Sequence, residues 1–161
     1  MYSEDRENGS PLSINTTASR QGSGEVAGGV AGGLLSARGF GGTQDYYQTF
    51  TSVNATRVTE TLSREQRIPS TTRGLGAQWL TGPGRHTLLV GAEWRYVDGS
   101  SIETPYSQGR ALATVDAGGT DQRSSAFVQD TMLLGDRLTL VLGAHGDRWQ
   151  SESTTSAGRR F

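Results

Sequence analysis

Residues 85–97 read RHTLLVGAEWRYV, and their alternation decides the fold: Leu88, Val90, Ala92, Trp94 and Tyr96 fall on one side of an extended chain, and Thr87, Gly91, Glu93 and Arg95 on the other. Successive side chains of a strand point to opposite faces, so this is a strand with one oily face and one wet face. Residues 137–147, RLTLVLGAHGD, repeat the parity, with Leu138, Leu140, Leu142 and Ala144 opposed to Thr139, Gly143, His145 and Asp147. Such oily faces have two destinations. They meet one another in a sandwich core, or they face lipid.

Working outward, the pattern predicts seven strands: Tyr2 to Glu7, Val26 to Phe40, Tyr46 to Arg57, Thr72 to Leu80, His86 to Val97, Arg123 to Leu134 and Leu138 to Trp149. Tight turns are expected at Gly41-Gly42, Gly82-Pro83-Gly84 and Gly135-Asp136. Long polar connections are expected over Asn8 to Glu25, Val58 to Thr71 and Asp98 to Gln122. In an up-and-down sheet every second connection lies at the same end, so short turns share one rim and long loops the other. A soluble sandwich has no reason to keep that alternation.

The faces agree. Leu75, Ala77 and Trp79 oppose Thr72, Gly74, Gly76 and Gln78, and Ala126, Val128, Met132 and Leu134 oppose Ser125, Gln129 and Thr131. Asp130 interrupts the second oily face, and parity offers no reason for it. The glycine-rich run EVAGGVAGGLLSARGF is the weakest strand, because glycine leaves register poorly specified. Trp79, Trp94, Tyr96 and Trp149 sit near the expected strand ends, where amphipathic rings form the girdles of a membrane barrel.

Composition permits this architecture. The chain has 161 residues, a hydrophobic fraction of 33% and 23 glycines, thin supply for a soluble core. A membrane barrel needs apolar residues at only every second position of its embedded part. The net charge is −1 and the basic residues are scattered, so nucleic acid is not an expected partner. All 15 basic residues are arginine, which reads as coding bias. Cysteine is absent, excluding disulfide scaffolds and thiolate sites. The start, MYSEDRENGS, lacks the pattern of a secretory signal, and no run approaches the roughly 20 apolar residues of a membrane helix.

Enzymatic chemistry finds no foothold. His86 and His145 lie on separate strands, so no metal is expected, and no Gly-x-Ser-x-Gly elbow accompanies the serines. GSGEVAGGVAGG lacks the Gly-Lys-Ser/Thr ending of a phosphate loop, and its GxxxG spacing at Gly28 and Gly32 has no apolar helix around it. No cofactor is expected. Asn8, Asn15 and Asn54 stand in Asn-x-Ser/Thr triplets, which chance supplies in so Ser/Thr-rich a chain.

The segments YQTFTSVNATRVTETLSREQRIPS from Tyr47, GLGAQWLTGPGRHTLLVGAEWRYVDG from Gly74 and SSAFVQDTMLLGDRLTLVLGAHGDRW from Ser124 resemble the barrel of TonB-dependent outer-membrane receptors. ENGSPLSINTT near the start resembles an extracellular loop of the same barrels. The likeness covers nearly the whole chain. Its most telling part is AFVQD, the turn at Gly135-Asp136 and LTLVLGAHGDRW, where relatives commonly end a strand in Gly-x-Arg-x-Asp. Here His145 replaces that arginine, so no role of the arginine is carried over.

The resemblance implies an all-β, antiparallel, up-and-down transmembrane barrel in the bacterial outer membrane, present in part. Such barrels have about 22 strands around a plug, and seven are expected here. Residues 1–161 therefore read as a piece of the barrel domain with no plug or TonB-contacting segment. The implied function is energy-coupled import of a scarce extracellular ligand, such as a ferric siderophore, cobalamin or a sugar. The implied partners are outer-membrane lipid, the plug and remaining strands, TonB through an N-terminal part, and the ligand. In that frame Asp98 to Gln122 is expected outside the cell and Gly82 to Gly84 in the periplasm. Ile102, Tyr106, Gln108 and Arg110 become candidate loop contacts for ligand. Glu93, Arg95, Gln129 and Asp147 have lumen parity, and Leu88, Val90, Ala92, Leu138, Leu140 and Leu142 lipid parity.

Two other readings differ in class. A small complete eight-stranded barrel, adhesive or structural, would need a closing strand with alternating apolar residues, which SESTTSAGRRF does not supply; the terminal Phe161 is read as an accidental end. A soluble β-sandwich binding module would bury the oily faces against one another and need no detergent.

Overall fold

The computed structural model describes residues 2–7, 10–82, 84–135 and 137–158. Asn8 of the first Asn-x-Ser triplet, Pro83 and Asp136 of two expected turns, and Phe161 lie outside the described residues.

Eight strands follow in order: β1 (Tyr2–Glu7), β2 (Ile14–Val30), β3 (Gly33–Val53), β4 (Glu60–Thr81), β5 (His86–Ser107), β6 (Arg110–Ala111), β7 (Thr114–Leu134) and β8 (Leu138–Gly158). They form one antiparallel sheet ordered β1-β2-β3-β4-β5-β7-β8, with the two-residue β6 held against β5. Each principal strand pairs with the one before and after it, so the sheet is up-and-down. β1 and β8 are its two ends and do not meet, which makes it an open part of a barrel.

The expected parity holds. Val90 lies opposite Val128 and Trp79, and Ala92 opposite Ala126 and Ala77. Met132 faces Leu140 and Val128 faces Ala144, so the oily sets of β4, β5, β7 and β8 share one face. Asp130 does stand on that face, opposite Leu88 and Leu142. Its carboxylate meets the imidazole Nδ1 of His86 at 2.9 Å, which gives the interruption a partner.

The strand boundaries depart from expectation. Val26 to Phe40 is not one strand but a hairpin, whose turn is Ala31-Gly32 with φ of 51° and 75°. Two successive positive φ values match the right-handed twist of the flanking strands. Gly41-Gly42, the expected turn, lies inside β3 in register with Gly22 and Gln21. A Cβ on Gly42 would stand 2.7 Å from the Arg20 carbonyl oxygen, so that glycine answers a close backbone approach. The long polar connections are mostly strand as well: β2 begins at Ile14, β4 at Glu60, β5 runs to Ser107 and β7 begins at Thr114. SESTTSAG likewise continues β8, paired along Thr114 to Asp121. These segments lack an oily face, so the apolar/polar alternation used to find strands could not register them.

A band explains where that alternation stops. On the first strand of each of the three hairpins with a glycine turn, the apolar-parity face gives way to polar side chains eight to ten residues from the turn: from Val30 to Arg20, from Thr81 to Arg73 and from Leu134 to Ser124. A transmembrane strand needs about 9–11 residues at about 45° tilt, whereas β4 and β5 each have 22. The turns also step. The row Gly29, Leu34, Leu80, Leu89, Gln129 and Gly143 crosses the sheet; strand pairing continues one residue beyond it toward the β2–β3 turn and five toward the β7–β8 turn. That stagger is the shear of tilted barrel strands.

No second layer covers the sheet. Among the described residues no hydrophobic side chain is fully buried, and Leu138, Leu142 and Leu75 are 58%, 55% and 62% exposed. The sandwich reading required the oily faces to bury one another, and a single sheet with both faces open does not do so.

Candidate functional site

The polar face divides at the height of the band's upper limit. Within the band, Glu93 stands on β5 with Gly76 of β4 beside it, and across that gap Arg38 of β3 reaches the Glu93 carboxylate at 3.3 Å. Arg123 donates from Nε and Nη2 to Asp147 Oδ1 at 3.2 and 3.0 Å, and His145 Nδ1 lies 3.2 Å from the other carboxylate oxygen. Gln129 faces Gly143 and Leu89. These pairs are exposed, so each holds orientation more than it stabilises.

Two aromatic rings fill glycine gaps on the same face. A Cβ on Gly91 would lie 2.4 Å from Phe127 Cζ, and one on Gly74 would lie 2.5 Å from Phe40 Cζ. Each ring therefore occupies the space above bare backbone of the neighbouring strand, and both glycines are buried beneath them. A recess of about 330 Å³ opens beside Arg38, Glu93 and Phe127, and another of about 420 Å³ beside Phe40 and Arg95.

Above the band the polar face carries a hydrogen-bonded ribbon across three strands. Tyr46 donates to Gln48, Gln48 to Gln66, and Gln66 to both Ser101 Oγ at 2.8 Å and Glu103 Oε1 at 2.9 Å. Arg64 closes it, donating to Glu103 Oε2 at 3.2 Å with its guanidinium 4.0 Å from the Phe50 ring centre. One arginine and one glutamate balance. The remaining groups are amides, hydroxyls and aromatic rings, suited to hydrogen bonding and stacking.

The four candidate loop contacts do not gather. Ile102 and Tyr106 lie on β5 with the parity of Tyr96, which places them on the face opposite the ribbon. Tyr106 donates to Glu65 at 3.0 Å. Beside this pair, burial and then the Glu65 carboxylate push the Tyr47 phenol above its ordinary pKa. Gln108, with φ of 51°, forms the tip with Gly109, and Arg110 opens β6. The polar-face contacts at this height are instead Gln48, Gln66, Ser101, Glu103 and Arg64. Continuing the two-residue count from Glu93 through Arg95 and Val97 to Ser101 and Glu103 would have found two of them, had residues past Val97 been read as strand.

Of the aromatic set, Trp79, Trp94 and Tyr96 share the apolar face. Trp79 Nε1 donates to the Val30 carbonyl at 3.0 Å near the turns, and Trp94 and Tyr96 stack with centroids 6.2 Å apart at the band's other limit. Arg73 lies 4.7 Å above the Tyr96 ring. Because β5 continues to Ser107, Trp94 and Tyr96 are mid-strand rather than terminal. Trp149 is the exception: its register partner is Arg123, and it donates to Asp121, so it belongs to the polar face and not to a girdle.

At the upper rim, a strap over residues 10–14 is fastened to the β3–β4 hairpin. Thr49 is the single buried polar side chain among the described residues; it accepts from the Ile14 amide at 2.9 Å and donates to the Leu12 carbonyl. Ser10 and the Leu12 amide both donate to Glu60.

Comparison with curated protein sequences returned no match. The family model described as TonB dependent receptor-like, beta-barrel matches residues 3–160, so its likeness extends over the turns, the band and the projecting upper strands alike. The chain belongs to the TonB-dependent receptor-like β-barrel family, whose members reside in the bacterial outer membrane.

Proposed function

We propose that the sheet is part of the wall of an importer that takes up a scarce ligand, such as a ferric siderophore, cobalamin or a sugar, and that it performs no catalysis. The apolar face meets lipid and the polar face lines the interior. The observation that carries this is the apolar band ending eight to ten residues from the turn on the first strand of all three hairpins, a depth matched to a bilayer and to no core within the protein. The glycine-turn rim is periplasmic and the projecting strands extracellular. Ligand meets the ribbon of Gln48, Gln66, Ser101, Glu103 and Arg64, with Gln108 and Arg110 at the tip.

A plug, further strands completing the barrel, and TonB are the partners of that activity. The 161-residue chain by itself neither closes a pore nor imports. Its end strands leave unpaired backbone groups, each costing several kcal/mol in hydrocarbon. Uptake of labelled ferric siderophore, cobalamin and oligosaccharide by cells carrying the full-length receptor tests the reading. TonB-dependent uptake of one of them is expected, abolished by Glu103→Ala with Gln66→Ala; uptake indifferent to TonB overturns it. Purification of the chain without detergent tests the second part, since a monodisperse, cooperatively melting protein in plain buffer would sink it.

A further inference from the structure

Three arginines of the polar face have carboxylate partners. Arg38 has Glu93, Arg64 has Glu103 and Arg123 has Asp147. Arg95 has no ion-pair partner among the described residues, although it sits among them. Its register neighbours explain why: on one side lies Gly74, roofed by the Phe40 ring, and on the other lies Arg123, a like charge directly opposite. Opposed like charges destabilise a sheet, and the neighbouring carboxylate of Asp147 is taken by Arg123. Glu93, two residues away on the same strand, is taken by Arg38. Asp121, diagonal to Arg95, accepts from Trp149.

Beside this guanidinium lies the recess of about 420 Å³, walled by Phe40 and by the donor-bearing side chains of Gln21, Gln44, Ser70 and Thr72. We propose that this recess is a carboxylate-binding site, in which Arg95 forms the two-pronged pair that no residue of its own sheet supplies. A planar carboxylate matches the guanidinium fork, and hydroxyl and amide donors can satisfy its remaining lone pairs. The carboxylate belongs either to a free ligand passing the face or to an acidic side chain of a polypeptide segment lying against it. The site rests on the polar face being the water-accessible interior.

The experiment uses the 161-residue chain refolded in dodecylmaltoside micelles. Phenylglyoxal modifies unpaired guanidinium groups, and mass spectrometry reads the modification residue by residue. Arg95 is expected to react faster than Arg38, Arg64 and Arg123, and its reaction is expected to slow about tenfold under saturating carboxylate while chloride at equal ionic strength leaves it unchanged. Citrate and a glutamate-bearing peptide are the two arms: protection by citrate alone assigns the carboxylate to a free ligand, protection by the peptide alone to a polypeptide segment, and either supports the site. Equal reaction of all four arginines, or no protection of Arg95 in either arm, overturns it. Quenching of tryptophan fluorescence by brominated detergent reports separately on the apolar face. Without quenching, the assignment of faces fails; an unprotected Arg95 on a quenched sheet rejects this site alone.

Discussion

The ten residues next to each glycine turn and the ten beyond them are the same strands in the same sheet, yet they obey different rules. Near the turns one face is apolar and the other carries spaced ion pairs, with Trp79 at one limit and the stacked Trp94 and Tyr96 at the other. Beyond Thr71, Asp98 and Thr120 both faces are polar, and side-chain hydrogen bonds link neighbouring strands on each. The difference teaches that backbone pairing sets the extent of the sheet, whereas the surrounding medium sets its side chains. Hydrophobic patterning therefore reports the membrane and not the strand.

The largest effect expected from this contrast is the response to a buried-in-lipid charge. Val128→Arg, on the apolar face within the band, should cost about 2–4 kcal/mol, and Gln129→Arg on the opposite face clearly less. Thr120→Arg, with the parity of Val128 but beyond the band, should cost almost nothing. Urea titrations of the lipid-embedded barrel read all three, and equal costs at Val128 and Thr120 would abolish the distinction between the two halves.

Within the band, the ring-over-glycine contacts should behave as coupled pairs. Gly91→Val places new atoms where the Phe127 ring lies and should destabilise by about 1–3 kcal/mol. Adding Phe127→Ala should recover part of that loss. A double-mutant cycle measures the coupling, and strictly additive costs would show that the ring does not rest on Gly91.

Beyond the band, hydrogen bonds take over. Thr49→Val removes the acceptor of the Ile14 amide and the donor to the Leu12 carbonyl, so a loss of about 1–2 kcal/mol is expected locally. Faster hydrogen exchange at Ile14, with the band amides unchanged, is the signature. Uniform acceleration through the sheet would contradict the independence of the halves.

The smallest effect belongs to the exposed pair of Asp45 and Arg67. Hydrogen bonding from the guanidinium holds the Asp45 carboxyl below its ordinary pKa. A depressed folded-state pKa gives stability that is present above the unfolded value and is lost as pH falls through the folded one, so the contribution should disappear in acid below the usual carboxylate range. With Arg67 and Asp45 side chains 58% and 40% exposed, screening limits it to about 0.5 kcal/mol. Comparing acid titrations of wild type and Asp45→Asn isolates it; a larger acid loss in the variant would reverse the sign.

What could be read from the sequence follows the same division. Residues 86–97 and 138–149 disclosed their faces because lipid-matched and polar side chains alternate there, and two of the three long segments that carried the family likeness contain them. Glu93, Arg95, Gln129 and Asp147 stand on the polar face for that reason. Trp149 was misplaced because its ring suggested a girdle while its number shares the parity of Asp147. Ser101, Glu103, Gln48 and Gln66 stayed hidden because a strand polar on both faces has the composition of a loop. The turn at Ala31-Gly32 was missed among glycine doublets that look alike until pairing selects which takes positive φ.

That no hydrophobic side chain is buried among the described residues has a consequence for how the sheet tolerates change. In a globular interior each side chain is judged by the shape of its neighbours, and an extra methylene is felt. Here the apolar face abuts a fluid that reshapes itself around whatever is offered, so valine, leucine and phenylalanine are interchangeable there so long as no charge is introduced. Such a surface reads polarity and ignores contour, and its sequence is free to drift in size while its position in the bilayer stays fixed.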